Sequence, residues 1–132
     1  MNSDDTYRAT ELLAGIGGQT FTAVSTKYGA TLTFTGDYSV SISTRFTVHA
    51  LGESLEFDPN RAPPDAATPL RNLRGLVLAR LEIRTTKALH LNFANDSRIV
   101  VDPEPVHAWE VDGPNNIRVM CGKRGELTIR AL

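Results

Sequence analysis

The chain has 132 residues, 41% hydrophobic and 22% charged, a composition that sustains one domain with its own core and excludes the disordered class. Its formal net charge is -1, so no global field draws it to nucleic acid or to an anionic membrane. A lone cysteine, Cys121, excludes a disulfide framework within one chain.

The chain opens on Met1-Asn2-Ser3-Asp4-Asp5, which lacks the basic and apolar parts of a signal peptide, and no apolar run approaches membrane length. A cytoplasmic location is therefore expected. Asp5 to Ala14 reads as a short helix closing into Gly15-Ile16-Gly17-Gly18. A phosphate loop needs Lys and then Ser or Thr after its glycines, where Gln19-Thr20 stands. A dinucleotide loop needs a strand before them, where a helix stands. These glycines read as a helix C-cap.

Strands follow. Leu32 with Phe34 leads into a turn at Gly36-Asp37. From Tyr38 the alternation Tyr38, Val40, Ile42, Thr44, Phe46, Val48 predicts one long half-buried strand. Asp58 to Ala66 contains Pro59, Pro63 and Pro64, which excludes a central strand and predicts an exposed connector over 59–66. Thr68-Pro69-Leu70-Arg71-Asn72-Leu73-Arg74-Gly75 has a Thr N-cap, Pro at the first helical position and a closing Gly, and predicts a second short helix. Further strands are read at Val77, Ala79, Leu81, Ile83; at Leu89, Leu91, Phe93; at Ile99, Val101; at Trp109, Val111; at Ile117, Val119, Cys121; and at Leu127, Ile129. About nine strand candidates with mostly short connections make a mainly β, β-rich α+β domain. Its expected form is a largely antiparallel sheet or a partly closed barrel, with two short helices.

Two stretches echo each other. Leu13, Ile16 and Gly18 match Leu70, Leu73 and Gly75 at a constant offset. Leu32-Thr33-Phe34-Thr35-Gly36-Asp37 then matches Leu91-Asn92-Phe93-Ala94-Asn95-Asp96, and Val40 and Ile42 match Ile99 and Val101. The pattern predicts a single domain over 1–132 made of two similar halves, about 10–58 and 67–132, that share one core.

The residues that carry chemistry are sparse. His49, His90 and His107 have no metal-ligand spacing, and no G-x-S-x-G elbow is present. Cys121 falls in an apolar register and reads as a buried, inert thiol. Arg71, Arg74, Arg80, Arg84 and Lys87 form the densest basic stretch, yet it has no aromatic and Glu82 interrupts it. It reads as a solvated strand face rather than a nucleic-acid groove. Trp109 reads as a core anchor, with Glu110 on the opposite face. No catalytic, cofactor or metal site is expected. His107, Glu110, Arg80 and Arg84 are the candidate binding residues.

The segment His107-Ala108-Trp109-Glu110-Val111-Asp112-Gly113-Pro114, then Ile117-Arg118-Val119 and Gly125-Glu126-Leu127, resembles a family of small uncharacterised actinobacterial proteins carrying A-W-E-x-x-G-P. Leu70-x-x-Leu73-x-Gly75, Leu89-x-Leu91-x-Phe93 and Ile99-x-Val101 fit as well, so the resemblance covers roughly residues 12–130. His107 stands where the family has an acidic residue, and Arg124-Gly125 where it has Gly-Gly. The resemblance implies no activity. Its members are similar in style to immunity proteins that neutralise toxins.

Residues 1–66 carry 4 Lys/Arg against 8 Asp/Glu, and residues 67–132 carry 10 against 7. This asymmetry suits the steering of a charged partner. The leading expectation is a small non-enzymatic binding protein, of the immunity type that occupies a toxin-like protein partner, present as a monomer or homodimer. The alternative is a small-molecule-binding β-barrel or an enzyme of unknown reaction.

Overall fold

The computed structural model describes residues 3–25, 29–50, 52–58, 68–84, 86–102, 108–122 and 126–130. In chain order its elements are α1 (Ser3–Leu12), β1 (Phe21–Ser25), β2 (Ala30–Phe34), β3 (Tyr38–Ile42), β4 (Phe46–Ala50), β5 (Glu53–Phe57), α2 (Thr68–Arg71), β6 (Leu78–Ile83), β7 (Leu89–Phe93), β8 (Arg98–Val101), β9 (Trp109–Asp112), β10 (Arg118–Cys121) and β11 (Leu127–Arg130). The chain is mainly β, as its alternation predicts. All strand pairs are antiparallel. They form two sheets, β1-β2-β3-β9-β10-β11 and β5-β4-β8-β7-β6. Both sheets are open, so the expected partly closed barrel is not what forms. The second helix shrinks to the single turn α2, and a 3-10 turn at Ala14–Ile16 follows α1. The predicted connector 59–66 lies outside the described residues.

The sheets meet face to face. Phe21 and Phe34 of the first sheet lie 5.4 Å apart by ring centroid, and Phe93 of the second lies 6.1 and 6.5 Å from them. Trp109 is fully buried, as are Val40, Val111 and Val119 on its own sheet and Leu91 and Ile99 on the other. Burial of such side chains contributes about 1.5–3 kcal/mol each, so this shared interior is the main source of stability. The Trp109 indole N–H donates to the Lys87 carbonyl at 3.1 Å, which satisfies its one polar atom inside that interior.

Two local readings change. The single strand expected from Tyr38 to Val48 is two strands in different sheets. At the corner, Ser43 N–H donates to the Ala108 carbonyl at 2.9 Å. Thr44 is buried there, so the inward alternation runs through the corner unbroken and conceals it from a pattern reading. The second change concerns Val77, Ala79, Leu81 and Ile83. Val77 and Ala79 are exposed while Leu78, Leu81 and Ile83 are buried. A register shift between Leu78 and Arg80 explains this, because an extra residue in one strand turns its later side chains to the other face.

The pairings recur at matched spacings along the chain. Gly18 N–H donates to the Leu78 carbonyl at 2.7 Å, and Gly75 N–H to the Phe21 carbonyl at 2.8 Å. Phe21 N–H donates to the Leu76 carbonyl at 2.9 Å, and Leu78 N–H to the Gln19 carbonyl at 2.8 Å. Thr20 and Val77 form the bridge between them. Gly18 and Gly75 both hold positive φ, +91° and +88°, which a glycine adopts without the strain of a Cβ. The shift between Leu78 and Arg80 has a counterpart between Phe21 and Ala23. β3 pairs with β9, and β8 pairs with β4. Each sheet is thus a three-stranded meander extended by strands from the other part of the chain.

Candidate functional site

The outer face of the second sheet carries alternate polar residues of β6, β7, β8 and β4. Arg80 pairs with Asn92, Glu82 with His90, Asn92 with Arg98, and Arg98 with His49. Glu82 gathers the basic groups: Arg80 Nη2 lies 3.3 Å and Arg84 Nη1 3.7 Å from its carboxylate, and Asn92 Nδ2 donates to it at 2.9 Å. His90 lies beside them. Burial, first, and then the charges of Arg84 and Arg98 hold its imidazole below the ordinary value, against the opposing pull of Glu82 and Asp102. His49 Nδ1 stands 2.7 Å from Ser54 Oγ.

Glu110 stands elsewhere. It lies on the outer face of the first sheet, opposite Ser41 and Met120. Arg118 Nε donates to Asp112 Oδ1 at 2.6 Å and lies 3.4 Å from Glu110 Oε2. The hydrogen bond to Asp112, its charge and that of Glu110 raise the guanidinium above its ordinary value. The structure therefore brings Arg80 and Arg84 together around Glu82 and leaves Glu110 on the far side of the sandwich. His107 lies outside the described residues.

Cys121 is buried, and burial pushes its thiol up, against a smaller lowering by Lys87. A thiol so placed is a poor nucleophile. Among the described residues, no three His, Cys, Asp or Glu side chains converge as a metal would require, and no helix is long and apolar enough to cross a membrane.

Among the described residues, two clefts open at the borders of the second sheet. The larger, about 360 Å³, runs between the C-terminal end of α1 and β6, with Thr10, Leu13 and Gly17 on one wall and Arg80 and Glu82 on the other. The smaller, about 170 Å³, lies between β4, β5, the residues after α2 and the β7–β8 turn, and is lined by Val48, Ala50, Leu55, Asn72 and Ser97 among others. Leu55 is 46% exposed, although it pairs with the buried Val48 and points the same way. The sequence reading missed β5 altogether. Glu53-Ser54-Leu55-Glu56-Phe57 has a period of two, but the charged Glu53 stands on the same face as Leu55 and Phe57 and breaks the apolar run. The signal available was Leu55 and Phe57 alternating with charge just before the prolines.

The chain belongs to a family of unknown function, DUF6188, whose model matches residues 12–131. The resemblance to an uncharacterised family thus holds over nearly the whole length. No curated protein and no solved structure matches the chain.

Proposed function

We propose that this chain is a non-enzymatic binding protein of the immunity type, a single domain of two similar halves that recognises another protein through its surface. One observation carries the reading: Arg80 and Arg84 pair with Glu82 on the outer face of one sheet, and Arg118 pairs with Asp112 on that of the other. The interior between the sheets is apolar. Chemistry requires reactive groups held together in a cleft, away from water. Recognition between proteins requires a stable scaffold that displays polar and apolar groups at its surface. The excess of Asp and Glu in residues 1–66 and of Lys and Arg in residues 67–132 supports steering of a charged partner. The matched hydrogen bonds around Gly18 and Gly75 support the two-halves reading, since neither three-stranded meander covers its own apolar face.

Affinity capture of the tagged full chain from its native cells, followed by mass spectrometry, tests the function. A protein partner recovered in near-equal amount, encoded beside this chain and harmful to cells that lack it, is the expected result. Recovery of no protein partner, or retention of a small molecule instead, would refute the reading.

A further inference from the structure

The two-halves reading gives every strand but one a counterpart. β1, β2 and β3 match β6, β7 and β8; β4 and β5 match β9 and β10. β11 alone has no match among the described residues. It pairs with the outer edge of β10, setting Ile129 opposite Val119 and Leu127 opposite Cys121. The corresponding edge belongs to β5, which ends its sheet among the described residues. The consequence is visible in burial. Val119 is fully buried beside Ile129, whereas its counterpart Leu55 is 46% exposed.

The small cleft repeats the asymmetry. In the first sheet the Tyr38 ring, which faces Phe34, is buried between two glycines. A Cβ on Gly113 would come within 2.9 Å of the ring, and one on Gly15 would overlap its hydroxyl. The counterparts of Tyr38, Gly15 and Gly113 are Ser97, Asn72 and Ala50, and all three line the cleft. Ser97 faces Phe93 as Tyr38 faces Phe34, through a 2.8 Å bond from Phe93 N–H to the Ser97 carbonyl. The cleft is thus the space that an aromatic ring fills at the equivalent place, left open because serine replaces tyrosine.

We propose that an extended segment of a partner protein adds to the second sheet along the outer edge of β5. It sets an aromatic side chain in the cleft beside Leu55 and basic residues against Glu53 and Glu56. Strand addition draws its affinity from main-chain hydrogen bonds and its specificity from pockets for alternate side chains. The edge supplies both features. Its charge selects the occupant: Glu53, at the cleft, and Glu56, on the other face 3.9 Å from Arg45, are both exposed, so a second copy of this chain would double the glutamates along the edge, whereas a basic strand offsets them. In the first sheet β11 takes the equivalent place with inward Leu127 and Ile129 and outward Thr128 and Arg130, one of them basic.

This inference rests on the binding reading and is tested apart from it. A displayed library of random ten-residue peptides is selected against the full chain. Winners should share an aromatic residue, an apolar residue two positions from it, and Lys or Arg on both faces of the strand. Their binding should shift amide resonances of residues 53–57 and weaken about tenfold or more on Glu53→Arg/Glu56→Arg. Both glutamates are exposed, and a melting curve checks that this variant folds. Replacing the basic residues of a winning peptide by Glu reads the same effect on the unmodified chain. No enriched peptide, winners without this pattern, affinity indifferent to both charge reversals, or dimerisation through β5 would overturn the proposal. Native capture separates the two ideas: a partner held equally by wild type and variant sinks the β5 site alone, and no partner with either sinks the binding reading.

Discussion

Replacing Trp109 by Ala tests how the interior holds the two sheets together. The indole is fully buried and bonded to the Lys87 carbonyl. Truncating a buried Trp costs about 3–5 kcal/mol through lost transfer energy and the cavity left behind. A chain of 132 residues loses about 0.28 kcal/mol of stability per kelvin near its melting point. Trp109→Ala should therefore lower Tm by about 11–18 °C, a large share of a total stability of about 5–15 kcal/mol. Trp109→Phe separates packing from the hydrogen bond. It keeps a ring and removes the donor to the Lys87 carbonyl, at about 1–3 kcal/mol, so its Tm should fall by about 4–11 °C. Calorimetric melting of all three chains gives the comparison. An alanine variant that melts within about 3 °C of wild type would refute the anchoring role.

Gly15→Ala should destabilise by about 1–3 kcal/mol, because its Cβ would overlap the hydroxyl of the buried Tyr38. In a Tyr38→Phe background most of that loss should vanish, and additive losses in urea melts would exclude the contact. Gly18→Ala and Gly75→Ala meet no atom within 4 Å, so each should cost only the positive-φ strain, about 1–2 kcal/mol, and by similar amounts. Unequal losses in denaturant titrations would count against equivalent places in two halves. His90 has a folded-state pKa below its unfolded value of about 6.5. Its contribution is therefore present above that pH and lost as pH falls toward the folded pKa. NMR titration should place its midpoint below about 6.5, and His90→Gln should flatten part of the acid-side decline in Tm. A midpoint at or above that value would contradict the burial argument.

The strand content was legible because alternation survives wherever one face is buried, as in Leu89, Leu91 and Phe93. What escaped is what alternation does not encode. The corner at Ser43 keeps the inward register through Thr44, so a change of sheet leaves no trace in the pattern. The shift after Leu78 moves burial from Val77 and Ala79 to Leu78 by backbone geometry alone. β5 carries the charged Glu53 on the face of Leu55 and Phe57, which interrupts its alternation. Of the candidate site residues, Arg80 and Arg84 were close in sequence and meet around Glu82. Glu110 lies across the sandwich, because sheet topology, rather than spacing, decides which strands share a face.

The most direct test of the binding reading is native mass spectrometry of the full chain isolated gently from its own cells. The account predicts a complex of this chain with one different polypeptide, in equal numbers. A mass of the chain alone or of its homodimer, or either with a small ligand, would contradict it.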